Sequence, residues 1–123
     1  MTVQMTADSF ELYLQGIGYA VSTIQDPAGM AFTVIHQVEI PAGPLRGSKC
    51  DIAIQRINTV PYTVPAALHT RPALVPMSPG PPIGTQASSL GSDWQYWSRR
   101  YDRAPTPQGV WAHVLGVLSN VGQ

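Results

Sequence analysis

One cysteine, Cys50, is the only thiol that this sequence offers for nucleophilic chemistry. A thiolate is a good nucleophile and a good leaving group near neutral pH. Within "SKCDIAIQRI", however, Cys50 alternates with Ile52 and Ile54, which is the pattern of a buried strand face. A buried cysteine behaves as a small hydrophobe and is usually inert. We therefore expect Cys50 to be structural, with a catalytic role as the less favoured alternative.

The three histidines, His36, His69 and His113, are suited to acid–base chemistry near neutral pH. Their spacing does not match a metal site, and one cysteine cannot form a cysteine-only zinc site. His36 lies on the apolar face of a predicted strand, which favours a hydrogen-bonded core histidine. His113 lies in a predicted helix, where an exposed or hydrogen-bonded side chain is expected. The sequence predicts neither a metal nor another cofactor.

The segment "DWQYWSRRYDRAPTPQGVW" contains all three tryptophans of the chain. Trp94, Trp97 and Tyr101 are three and four residues apart, which predicts one face of a helical turn. We expect these rings to hold the segment against the sheet. The alternative is that they anchor a partner protein, because Trp and Tyr dominate binding hot spots.

The composition fits one compact domain, residues 1–123, with seven Lys and Arg balanced by seven Asp and Glu. This balance predicts no nucleic-acid footprint and no polybasic membrane patch. Charged residues are only 11% of the chain, so either a partner protein covers part of the surface or the surface is an ordinary Pro-rich one. The N-terminus lacks a signal-peptide pattern and no apolar run could cross a bilayer, so we expect a cytoplasmic protein.

The periodicity predicts an α+β fold. A first helix is predicted in "ADSFELYLQGIG", capped by Asp8, with Glu11 completing a capping box. A last helix is predicted in "TPQGVWAHVLGVLSNV", capped by Thr106, with Pro107 at its first position. A four-stranded antiparallel meander is predicted between the two helices. Its strands are "YAVSTIQ", "MAFTVIHQVEIP", "SKCDIAIQRI" and a short edge strand in "PAALHTR". Seven prolines between Val60 and Pro82 exclude central sheet there, and residues 72–92 are predicted to form a long irregular loop.

This layout resembles the ubiquitin-conjugating fold, in which a proline crossing, here "VPYTVP", follows the meander. The segment "WQYWSRRY" is more specific and is similar to the prokaryotic family E of the ubiquitin-conjugating superfamily; the likeness runs from about residue 19 to residue 121. Two departures are Arg100, where the family usually has histidine, and the missing tryptophan before the last helix. The resemblance implies a ubiquitin-like modifier and an adenylating activating enzyme as partners, often with a deubiquitinase-type metallopeptidase.

The resemblance also implies a place for the nucleophile, shortly before the last helix, where Ser98 would replace the missing thiol. Ser98 would carry the modifier as an oxygen ester, with Arg99 or Arg100 stabilising the oxyanion and His69 acting as base. The alternative is that Ser98 braces a turn and the arginines are solvated. Ser88, Ser89 and Ser92 are weaker candidates, because these positions also read as turn residues.

Two functions follow from this. The first is a transfer protein that accepts the modifier from the activating enzyme. The second is a non-catalytic scaffold of the same fold that binds the modifier or the activating enzyme. The missing thiol favours the second, and the "WQYWSRR" block favours the first. An unrelated α+β interaction module is the remaining alternative.

Overall fold

The computed structural model describes residues 5–57, 64–65, 67–76, 84–101 and 105–120. Within these residues, six strands form one antiparallel sheet and a helix lies at each end of the chain. The sheet has the order β1-β2-β3-β4-β6-β5, so β1 and β5 are its edges. The elements are α1 (Ala7–Gly16), β1 (Val21–Gln25), β2 (Ala31–Glu39), β3 (Lys49–Gln55), β4 (Ala67–Arg71), β5 (Thr85–Ser88), β6 (Gly91–Ser98) and α2 (Pro107–Ser119).

The N-cap of helix α1 lies two residues earlier than the sequence predicted. Its cap is Thr6, whose side chain accepts a hydrogen bond from the amide of Ser9, while Ser9 Oγ accepts one from the amide of Thr6. Asp8 and Glu11 were therefore wrongly predicted as the capping pair. Both carboxylates instead form ion pairs with Arg56, which ties the first two turns of α1 to the end of β3.

Helix α2 is capped as predicted. The hydroxyl of Thr106 accepts a hydrogen bond from the amide of Gly109, and Pro107 occupies the first turn, where its missing N–H costs nothing. In the part of the chain that the structure describes, no helix combines the length and the apolar character needed to cross a membrane.

The predicted meander is confirmed for β1 to β4, but the sheet does not end there. Strands β5 and β6 form a second hairpin that adds to the sheet, so β4 pairs with both β3 and β6 and is not the edge strand that was predicted. Part of the predicted irregular loop, residues 72–92, is thus strand. The prolines stop before Thr85, and polar "TQAS" is a weak strand signal. The crossing at 58–63 and the loop centre at 77–83 lie outside the described residues.

The prediction of a helical turn at Trp94, Trp97 and Tyr101 was wrong, because β6 runs through both tryptophans. Side chains alternate along a strand, so residues three apart point to opposite faces of the sheet. Trp97 packs in the core beneath the helices, and Trp94 packs on the other face with Phe32 and Val34. Tyr101 follows the strand, and the centroid of its ring lies 5.3 Å from that of His113 on α2.

The main core lies between the sheet and the two helices. It is built from Phe10 and Leu14 on α1, from one face of the central strands, and from the inward stripe of α2, which is Val110, Trp111, Val114 and Leu118. The opposite face of the sheet carries a smaller cluster without a helix among the described residues. The helices thus cover one face, and the other face is where polar side chains can be reached.

A β-bulge in β2 breaks its alternation. The pairing with β3 shifts between Ile35 and Val38, and Gln37 has a φ of 56°. Because of the extra residue, Ile35 and Val38 both enter the main core although they are three positions apart. By alternation His36 shares the face of Phe32 and Val34, the face without helices, and its side chain is 32% exposed. The prediction of a core histidine was wrong, although the side chain is hydrogen-bonded.

The loop between β2 and β3 touches the end of α2 through Gly43. A Cβ added to Gly43 would lie 1.8 Å from the carbonyl oxygen of Ser119, and its φ of 81° also favours glycine. Only a residue without a side chain allows this close approach.

We expect Trp111→Ala to lower the free energy of unfolding by about 3–5 kcal/mol, because it leaves a cavity in the core. Trp111 is 5% exposed, and its ring lies 5.2 Å from that of Tyr19. Urea unfolding measures the change. The control is Leu12→Ala on the outer side of α1, where 67% exposure predicts a change within about 0.5 kcal/mol. Equal small changes in both variants would contradict this packing of α2.

Candidate functional site

Cys50 lies inside the main core rather than in a cleft. It is 3% exposed on β3, in line with Ile52 and Ile54 as the sequence predicted. Burial, with a smaller contribution from the charge of Asp51, raises the pKa of the Cys50 thiol to about 11. A thiol in this environment is a poor nucleophile at neutral pH.

Ser98 lies at the end of β6, and its side chain is exposed. The amide of Ser98 donates to the carbonyl of Gly84, which joins β6 to the start of β5. The guanidinium of Arg99 donates from Nη1 to the carbonyl oxygen of Ser98 at 2.7 Å, and it lies 5.8 Å from the ring of Trp97. The guanidinium of Arg99 is therefore held against the backbone of Ser98.

Gly84 is the residue that makes room for this arrangement. Its φ is 65°, and a Cβ there would lie 3.2 Å from Arg99 Nη1 and 3.8 Å from Ser98 Cβ. Arg100 is exposed beyond the strand. The structure thus brings Ser98 and Arg99 together, with Arg100 next along the chain.

Among the described residues, His69 is hydrogen-bonded to Ser88 and not to Ser98. It lies on β4 opposite Tyr96, two pairs away from the Ala67–Ser98 pair, so the side chains of His69 and Ser98 both face the side without helices. The His69 ring is 5% exposed, and its Nδ1 lies 2.7 Å from the hydroxyl of Ser88. Burial lowers the pKa of His69 to about 4, against a small opposing effect of Asp26. His69 is therefore neutral and bonded to Ser88.

An open cleft of about 500 Å³ lies over this part of the sheet. Its walls include the rings of Phe32, His69 and Tyr96, and the two ring contacts of His69 are both edge-on at 5.1 and 5.3 Å. The Ser88 hydroxyl also accepts a hydrogen bond from the amide of Leu90, which fixes the β5–β6 turn. From the sequence, Ser88 was a weaker nucleophile candidate or a turn residue, and its partner on β4 could not be found without the hairpin.

The aromatic residues of the dense segment are mostly inside the protein. Trp97 is 0% exposed and donates from Nε1 to the hydroxyl of Thr70 at 3.0 Å. Trp94 is 4% exposed, and the guanidinium of Arg71 lies 4.5 Å from its ring centroid. Both indoles hold β6 in the sheet in this structure. Within the described residues, no group of three His, Cys, Asp or Glu side chains could hold a metal ion.

Comparison with known proteins places this arrangement in a family. The family described as prokaryotic E2 family E matches residues 6–120. The chain belongs to prokaryotic E2 family E. The α+β fold, with its N-terminal helix, antiparallel sheet and C-terminal helix, is consistent with this family, and membership suggests a role in ubiquitin-like conjugation. No curated protein and no solved structure matches the chain.

We expect Cys50 of the folded protein to resist thiol reagents. With a pKa of about 11, roughly one thiol in a thousand is ionised at pH 8, and the sulfur is buried as well. Absorbance with a disulfide reagent such as dithiobis(nitrobenzoate) measures the reaction, which should appear only after unfolding in urea. In the matched variant Ser98→Cys, the exposed second thiol should react within minutes. Rapid modification of native wild-type protein would contradict this position of Cys50.

His69 should make stability fall on acidification. The unfolded histidine, with an ordinary pKa of 6.5, takes up its proton before the folded one, whose pKa is about 4. Stability is therefore lost as the pH falls from 6.5 to 4, by about 1–3 kcal/mol after allowing for partial access of water. His69→Gln should show a smaller loss between pH 7 and pH 4.5 in urea unfolding. An identical loss in both proteins would contradict the neutral state of His69.

Proposed function

We propose that this protein acts in ubiquitin-like conjugation as a non-covalent subunit that binds the modifier or the activating enzyme and positions it. The observation that carries the proposal is the burial of the only thiol of the chain, Cys50, in a member of a conjugating-enzyme family. A thioester carrier must present a thiolate to the activating enzyme. Cys50 at 3% exposure cannot be reached without opening the core.

Two further contacts support a non-covalent role. The imidazole of His69 is bonded to Ser88 and is kept neutral by burial, so it is a weak base. One guanidinium nitrogen of Arg99 is hydrogen-bonded to the carbonyl of Ser98. Activation of a serine hydroxyl requires a base and a stabilised oxyanion. Among the described residues, the contacts around Ser98 supply a positive charge and no base.

The second candidate function is transfer of the modifier as an oxygen ester on Ser98. The observation that favours it is the exposed hydroxyl at the end of β6 beside Arg99, with Gly84 leaving space on one side. In this reaction Ser98 Oγ would bond to the carbonyl carbon of the modifier's C-terminus. The bond to the activating enzyme's thiol would break, and the serine proton would pass to the departing thiolate.

The two functions differ in what forms when the protein meets the modifier, the activating enzyme and ATP. For the non-covalent subunit, we expect saturable binding to the modifier or the activating enzyme in calorimetry, and no adduct in a denaturing gel. For an ester on Ser98, we expect an adduct that resists thiol reductants, is cleaved by hydroxylamine, and is lost in Ser98→Ala. The exposed Ser92 on the same strand gives the matched control, Ser92→Ala, which should retain any adduct.

Each outcome decides between the candidates. An adduct that disappears in Ser98→Ala and persists in Ser92→Ala would replace the non-covalent proposal by the second candidate. A reductant-sensitive adduct that disappears in a folded Cys50→Ser variant would overturn both. Absence of an adduct together with absence of binding to either partner would also contradict the proposal.

A further inference from the structure

Three rings form a row along the open cleft on the face of the sheet without helices. Phe32 on β2, His69 on β4 and Tyr96 on β6 all line this cleft. Strand β3 separates the first two, and their ring centroids are nevertheless 5.1 Å apart. The β3 residue paired with His69 is Ala53, whose methyl group leaves room for the rings to meet. The imidazole lies 5.3 Å from the ring of Tyr96, so the row of rings is continuous.

Asp26 supplies the charge in the wall of this cleft. Of the described residues that line the cleft, Asp26 is the only acidic one, and none is Lys or Arg. Its Oδ1 accepts hydrogen bonds from the amides of Ala28 at 3.0 Å and Met30 at 2.9 Å, which hold the carboxylate in the β1–β2 turn. The second oxygen, Oδ2, accepts no hydrogen bond from the part of the chain that the structure describes. That oxygen is therefore left for a ligand.

The imidazole in the cleft adds no positive charge at neutral pH. Burial lowers the pKa of His69 to about 4, and the negative charge of Asp26 acts against this by a smaller amount. The carboxylate is thus close enough to act on the ring. At pH 7 the wall combines one negative charge, two aromatic rings and a neutral imidazole.

We propose that this cleft binds a small organic ammonium ion, with Asp26 as the counter-charge and the rings of Phe32 and Tyr96 in the wall. The site is separate from the proposed conjugation role and uses neither Cys50 nor Ser98. Aromatic rings attract alkylammonium groups because the π system is negative over its face. The cleft volume, about 500 Å³, is in the range of small-molecule sites.

Other ligand chemistries fit these walls less well. An anion would meet the carboxylate of Asp26 without a Lys or Arg in the wall to offset the repulsion. A neutral apolar ligand would take water away from the carboxylate and give it no partner, which costs free energy. An ammonium ion that carries methyl groups avoids both problems. Its charge faces Asp26, and its carbon atoms contact the rings and the thioether of Met30, a residue that is 44% exposed.

The walls of the cleft are held in place before a ligand binds. The amide of Gln55 donates from Nε2 to Met30 Sδ at 3.9 Å, and Nδ1 of His69 lies 2.7 Å from the hydroxyl of Ser88. The backbone of Asp26 is also fixed, because its amide donates to the carbonyl of Met30 at 3.0 Å. Binding therefore costs little ordering of the protein, which favours affinity for a ligand of few atoms.

The test is a calorimetric titration of the whole chain with choline, whose trimethylammonium group is charged at every pH. The matched ligand is dimethylbutanol, in which carbon replaces the charged nitrogen and the shape is kept. We expect saturable binding of choline, and binding of the alcohol that is at least about tenfold weaker. Equal affinity for the two ligands, or no binding of choline up to about 10 mM, would overturn the proposal.

Two variants assign the binding to this cleft. Asp26→Asn keeps Oδ1 as the acceptor of the turn and removes the charge, so the affinity for choline should fall about tenfold or more. Tyr96→Leu removes one ring and should weaken binding several-fold. The control, Asp93→Asn, removes an exposed carboxylate on β6 outside the cleft and should bind as the wild type does. Melting temperatures check that each variant is folded.

A measurement on the wild type makes the test independent of the variants. The imidazole proton signals of His69, assigned by comparison with His69→Gln, should shift in the NMR spectrum as choline is added, because the ring lines the cleft. If choline binds and the His69 signals stay in place, the ligand is elsewhere and the proposal is wrong. The same conclusion follows if folded Asp26→Asn and Asp93→Asn bind choline equally well.

Discussion

The burial of Trp97 between the sheet and the helices is the contact on which the rest of the structure depends. Its indole is fully buried, and its N–H is satisfied by Thr70 on the neighbouring strand, so it can be in the core without an unpaired donor. The same residue sets the register of β6 against β4 and β5. With Trp97 fixed, Ser98 must be exposed at the strand end, and Arg99 must lie beside it.

The alternation of side chains along each strand explains why the two faces of the sheet are chemically different. The face under the helices is apolar and holds the only thiol, where desolvation suppresses its ionisation. The other face holds polar pairs such as His69–Ser88 and Asp51–Arg71. The thiol is therefore enclosed in the face that suppresses its ionisation, whereas the Ser98 hydroxyl and part of the His36 side chain reach solvent.

Sequence patterns predicted the parts of the fold that depend on local periodicity. The first four strands, the last helix with its Thr106 cap, and the buried face of Cys50 were all predictable, because each is encoded by neighbours along the chain. The β5–β6 hairpin was missed, since Trp94 and Trp97 at a spacing of three fit a helix as well as two faces of a strand. That ambiguity is resolved only by the partner strands.

The candidate sites were less predictable for a related reason. Ser98 and Arg99 are adjacent in sequence, so their proximity was predictable, whereas the bond of His69 to Ser88 depends on a hairpin that the pattern did not show. Likewise, His36 was expected in the core because it alternates with Phe32 and Val34, but the face that these residues share carries no helix among the described residues, and His36 is partly exposed. Side-chain pairs across strands require the register, which a single sequence does not encode locally.

The contact between Gly43 and Ser119 sets a limit on how α2 can move. The backbone of the β2–β3 loop lies against the last turn of the helix with no side chain between them. The loop therefore acts as a steric stop against sliding of α2 along its axis toward the loop. The first turn of α2 lies at the other end of the helix, where Gly109 approaches the hydroxyl of Tyr101, so a displacement of that turn would be felt at the segment after Ser98.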